Sequence, residues 1–146
     1  MHRRVIERVR RRYGDMCFAC GPSNPLGLQI DSFEVGPDGT VSASFMPRSH
    51  YRGAGDTLHG GIAATALDEI LVWAGILAEG VMSVTGTLEI KYRRALTVNH
   101  PVTATAKVDE RRGRRLKISG SLADETGVAV EGKGLYLMTL DLSELD

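Results

Sequence analysis

From residue 58 to residue 78 apolar side chains occupy almost every side of a helical wheel, and Gly80 follows as a natural C-terminal stop. A helix that is apolar all round is buried rather than laid on a surface. Its small residues Gly61, Ala64, Ala74 and Gly75 suit close packing against a sheet. Elsewhere the period is two. Leu28, Ile30, Phe33 and Val35 alternate, GPDG at 36–39 makes a turn, and Thr40–Met46 reads as the second strand of a hairpin. Residues 47–57 read as a loop. After the helix come strand patterns at Val81–Ala95, Val102–Glu110, Leu116–Asp124 and Val128–Leu140, with a DETG turn at 124–127. The order β-β-α-β-β-β-β predicts an α+β fold, in which a curled antiparallel sheet wraps one long central helix.

The first 12 residues carry six arginines and one glutamate, with Val5, Ile6 and Val9 at helical spacing. Residues 1–14 therefore read as a basic helix or arm, expected to be solvated and partly frayed. Residues 15–146 read as a single domain. The net charge is zero, so no global field draws in nucleic acid or a membrane. The basic start has no apolar run behind it and is not a signal peptide. The long apolar stretch holds Asp68 and Glu69 at its centre, a poor membrane span. These readings make the cytoplasm the expected location. Cys17 and Cys20 form a lone C-x-x-C without a second pair, so we expect reduced, packed thiols and no metal.

Asp68 is an acid in the middle of an apolar helix, where an unpaired carboxylate is costly. Glu69 points about 100° away, so the two do not face each other. His59-Gly60-Gly61 opens the helix, and a helix N-terminus presents free N–H groups and partial positive charge. Glycines there let a ligand oxygen approach, as polarising a thioester carbonyl requires. His59 could equally serve as a capping residue.

The segment LHGGIAATALDE resembles the hotdog-fold acyl-CoA thioesterases of the PaaI type. CFACGPSNPLGL at 17–28 resembles the N-terminal motif of one branch of that family, and TGTLEIKYRRAL at 85–96 resembles the strand after its central helix. The resemblance implies hydrolysis of an acyl-CoA to a free acid and coenzyme A. It implies Asp68 as general base or nucleophile, the backbone N–H of Gly60 or Gly61 on the carbonyl oxygen, and Thr85 as the hydroxyl that positions water. It also implies a homodimer or homotetramer whose active sites are each built from two subunits, with no cofactor beyond the substrate's own coenzyme A. Arg52 and Gly53 stand where relatives often carry Asn or Gln. Arg52, Lys91, Arg93, Arg94, Arg112 and Arg114 are the candidate partners for the phosphates of coenzyme A. Two other activities remain open at this stage: a non-catalytic acyl-CoA-binding module, and an enoyl-thioester hydratase or dehydratase that would use His59 with Asp68. Trp73, Met82 and Met46 are expected in the core or lining the acyl pocket.

Overall fold

The computed structural model describes residues 2–144; residues 1, 145 and 146, at the outer ends of the two expected segments, lie outside it. Helix α1 spans His2–Tyr13, and α2 spans Gly60–Ala74 and continues as a π-helical turn, Gly75–Glu79. The strands are β1 (Phe33–Val35), β2 (Val41–Phe45), β3 (Val81–Tyr92), β4 (Val102–Arg112), β5 (Arg115–Asp124) and β6 (Gly127–Asp141). They form one antiparallel sheet in the order β1-β2-β4-β5-β6-β3. The sheet curls around α2, whose Ala63, Ala66, Leu67, Ile70 and Leu71 join Val41, Ala104, Leu116, Ile118, Leu122 and Tyr136 in the core. This is the hotdog architecture. Gly80, at φ 67°, ends the helix in the left-handed conformation.

The close approach of helix and sheet comes from the sheet side. Gly120 of β5 and Gly132 of β6 are cross-strand partners. A Cβ on Gly132 would stand 2.4 Å from Leu67 Cδ2, and one on Gly120 would stand 2.3 Å from the Thr105 carbonyl oxygen and 3.0 Å from Leu71 Cδ2. Leu67 and Leu71, both fully buried, thus seat in a glycine groove. Of the helix residues expected at this contact, Ala74 and Gly75 are buried, but Ala64 is half-buried and Gly61 is exposed.

Three expectations need correction. The first strand starts at Phe33 rather than Leu28, because Gln29 takes φ 56°. The Leu28 and Ile30 amides instead donate to the carbonyls of Phe18 and Ala19, packing the CFAC segment down. The N-terminal segment is an ordered helix whose Val9 is buried with Trp73, Ile76 and Leu142. The apolar positions Val5, Ile6 and Val9 find a ready partner in the end of α2, which the chain itself does not reveal locally. Met46 is exposed, whereas Trp73 is buried and stacks on Phe33 with ring centroids 4.4 Å apart. Gly60–Glu79 is long and apolar enough to cross a membrane, but it is the helix the sheet encloses.

Candidate active site

Asp68 sits in the third turn of α2, half-buried, with its side chain turned toward β3 and β6. Thr85 Oγ1 donates to Asp68 Oδ1 at 2.7 Å, and Tyr136 Oη donates to the same oxygen at 2.8 Å. Thr85 and Tyr136 are cross-strand partners, so the sheet register delivers both hydroxyls together. A register shift between Thr85 and Thr87 follows immediately, around Gly86. Two donors on Oδ1 fix the carboxylate, and Oδ2 has no hydrogen-bond partner among the described residues. Tyr136 is fully buried; burial, then the negative charge of Asp68, pushes its hydroxyl above the usual tyrosine range. It is a neutral donor at any working pH. Tyr136 was not anticipated: it lies 68 residues beyond Asp68 and nothing local marks it.

The helix start is built with equal economy. His59 is the N-cap, and its Nδ1 accepts from the Gly61 N–H at 2.9 Å. A Cβ on Gly61 would meet that imidazole at 3.1 Å, so glycine there lets the cap fold back. The His59 carbonyl accepts from Ile62 and Ala63. This leaves the exposed N–H of Gly60 as the first-turn amide without a partner among the described residues. Tyr92 Oη donates to the Gly60 carbonyl at 2.8 Å, tying the end of β3 to the helix start. Eight residues separate Gly60 from Asp68, about 12 Å along the axis. One thioester carbonyl cannot touch both within a single chain.

The sequence profile of the thioesterase superfamily matches residues 55–131, more than half of the chain. This protein belongs to the thioesterase superfamily. Its fold is similar to that of another thioesterase superfamily protein, with 28% identity, TM-score 0.78, and 84% of this chain covering 60% of that one. The present chain is therefore well short of that relative's length. It is also similar to the PaaI protein of Escherichia coli (14% identity, TM-score 0.68, 75% of this chain and 80% of that one). A third likeness is a hypothetical thioesterase from Streptococcus pneumoniae solved with coenzyme A (17% identity, TM-score 0.67, 76% and 91%). No functionally curated protein matches the sequence.

In this superfamily member most of the candidate phosphate-binding cations already have partners. Arg93 pairs with Glu131 at 2.9 Å. Arg94 holds Asp124 through two bonds, at 2.7 and 2.5 Å, and also the Gly127 carbonyl. Arg112 pairs with Glu110, and Arg114 donates to the Met138 carbonyl at 3.2 Å. Arg52 donates to the Ser49 carbonyl and pairs with Asp56 at 2.9 Å, so it is turned into its own loop. Lys91 has no ion-pair partner among the described residues and lines a surface groove of about 460 Å³ with Glu89, Glu131 and Lys133.

Glu69 turns to the other side of α2, as the 100° step requires. Its Oε1 accepts from Trp73 Nε1 at 3.0 Å and lies 3.8 Å from Cys17 Sγ. Burial, then the charge of Cys17, raises its pKa to about 7. No Lys or Arg pairs with it among the described residues.

Proposed function

We propose that this chain hydrolyses acyl-CoA thioesters to a free acid and coenzyme A, as a PaaI-type member of the branch that carries the CFACGPSNPLGL segment. The observation that carries the reading is the Asp68 carboxylate, half-buried on an apolar helix and held on one oxygen by Thr85 and Tyr136. Similar folds have been solved with coenzyme A and, in a Streptococcus mutans protein, with acetyl-CoA. In the general-base route, Asp68 Oδ2 takes a proton from water as the water oxygen bonds to the thioester carbon. The carbonyl electrons move to oxygen, and the Gly60 N–H stabilises that charge. Collapse of the tetrahedral intermediate breaks the C–S bond, and the coenzyme A thiolate recovers the proton. In the alternative route Oδ2 attacks the thioester carbon directly and expels the coenzyme A thiolate, giving an acyl-Asp68 anhydride; water then opens the anhydride to the free acid and the Asp68 carboxylate, and the proton it releases goes to the thiolate. Label from heavy-oxygen water entering Asp68 in a single turnover marks the second route.

The 12 Å between Gly60 and Asp68 argues that the two act in one site from two copies of the chain. The 12-residue strand β3 is a sheet edge, with Thr85 toward one end and Tyr92 at the other. An unpaired edge of this length invites pairing. Antiparallel pairing of two β3 edges brings the Thr85 half of one copy alongside the Tyr92 end of the other. We therefore assign a homodimer or a dimer of dimers, with residues 15–146 as the catalytic domain preceded by the basic helix, working in the cytoplasm. Lys91 is the candidate cation left to meet a coenzyme A phosphate.

The test is thiol release from a panel of acyl-CoAs by wild type and Asp68→Ala. Release by wild type that vanishes in a folded Asp68→Ala protein supports the assignment. Equal release from both proteins, or tight acyl-CoA binding without turnover by wild type, overturns it.

A further inference from the structure

The segment Cys17-Phe-Ala-Cys20-Gly21 folds into a tight knuckle. The Cys20 amide donates to Cys17 Sγ at 3.4 Å, and the Gly21 amide donates to the Cys17 carbonyl at 2.8 Å. The chain doubles back so closely that a Cβ on Gly21 would stand 2.4–2.6 Å from backbone atoms of Asp15 and Cys17. This turn sets both sulfurs on one side, against α2. There Glu69 supplies a carboxylate oxygen, and the two sulfurs and that oxygen lie within 4.8 Å of one another. In a tetrahedral zinc site, bonds of about 2.3 Å to sulfur and 2.0–2.2 Å to oxygen give a sulfur–oxygen edge of about 3.6 Å. Cys17 Sγ and Glu69 Oε1 are 3.8 Å apart.

The surroundings of the three ligand atoms leave space for a cation. A cavity of about 460 Å³ opens directly onto Cys17, Cys20 and Glu69 and is bounded further by Asp15, Trp73 and Met82. It leaves room for a fourth ligand. No Lys or Arg pairs with Glu69 among the described residues; Arg10, which lines the same cavity, donates instead to the Asp31 carbonyl at 3.5 Å.

We propose that Cys17, Cys20 and Glu69 form a binding site for one thiophilic divalent cation of the zinc class, with the fourth coordination position open to the cavity. The ion would clamp the N-terminal knuckle to the central helix. This site is separate from the thioesterase reading and does not depend on it.

The experiment is a Co²⁺ titration of the reduced, metal-stripped full chain under anaerobic conditions, followed by Zn²⁺ displacement. The expected result is thiolate-to-cobalt charge-transfer absorption, with ligand-field bands of a tetrahedral ion, saturating at one metal per chain and bleached by Zn²⁺. Cys17→Ser and Cys20→Ser abolish the charge-transfer bands. Glu69→Gln, which keeps the shape of the helix surface, retains them but weakens binding roughly tenfold or more. Zn²⁺ raises the Tm of wild type and not of the cysteine variants. Absence of the bands in folded wild-type protein overturns the proposal, as do bands that survive Cys17→Ser, or Glu69→Gln affinity equal to wild type. Conversion of the two thiols to a disulfide with no metal uptake by the reduced form would make them a redox pair instead, and also overturns it.

Discussion

Gly60→Pro removes one hydrogen atom's worth of chemistry and almost nothing else. Gly60 is the first residue of α2, where proline is favoured because its missing N–H has no helical partner. The preceding residue, His59, has φ −57° and ψ 133°, the extended conformation that a residue before proline adopts. A Cβ at position 60 would meet only the Tyr92 ring, at 3.7 Å, an ordinary contact. The His59 cap on Gly61, the Ile62 and Ala63 bonds to the His59 carbonyl, and the Tyr92 bond to the Gly60 carbonyl all survive. If the Gly60 N–H binds the developing oxyanion, its loss costs about 10²- to 10³-fold in kcat. Stability should be unchanged or higher by about 0.4–1 kcal/mol, because proline restricts the unfolded chain. Gly60→Ala keeps the N–H and should stay close to wild type. The assay is steady-state thiol release alongside urea unfolding. Full activity in Gly60→Pro, or an equal loss in Gly60→Ala, would refute the role of this amide.

The same variant tests the two-copy site. Asp68→Ala and Gly60→Pro chains, each nearly inactive, are unfolded together in equal amounts and refolded. If the site joins Asp68 of one chain to Gly60 of another, a mixed dimer holds one intact site and one doubly damaged site. With random pairing about a quarter of wild-type activity returns. If both residues act within one chain, mixing restores nothing.

Tyr136→Phe keeps the buried ring but removes one of the two donors to Asp68 Oδ1; kcat should fall roughly tenfold, from the loss of a bond to a charged group, with KM little changed. Gly132→Ala drives a methyl group into Leu67, which is fully buried and has no room to retreat, so urea unfolding should show a loss of about 1–3 kcal/mol or more. Arg94, then Thr126, holds the Asp124 carboxyl below the usual range, so this contribution to stability is complete at neutral pH and is lost as pH falls below about 4. Asp124→Asn should therefore flatten the acid side of the stability–pH curve; a curve of unchanged shape would count against the pair.

How much of this was legible in the chain follows from where each signal resides. The central helix and long strands announce themselves because burial imposes a period on consecutive residues, and α2 and β3–β6 sit within a few residues of their expected bounds. The motif around His59, Gly60, Gly61 and Asp68 is local too, so its parts could be named in advance. That the Gly61 amide is occupied by His59 while the Gly60 amide has no partner among the described residues could not be named, because it depends on one imidazole rotamer. Leu28–Ser32 misled because alternation of apolar residues does not distinguish a strand from a loop packed inward by its own left-handed residue, Gln29. The contacts that the chain does not announce are of one kind. Tyr136 meets Asp68 across 68 residues, and Cys17 meets Glu69 across 52. Each meeting is set by tertiary packing, by the β3–β6 register in one case and the folded-back knuckle in the other. That a carboxylate lies beside the lone C-x-x-C is likewise visible only in the folded chain. The same helix that turns Asp68 toward β3 turns Glu69, one residue on, toward the knuckle. The two acids at the centre of α2 thus face two different surfaces, as the 100° step of the helix requires of neighbouring residues.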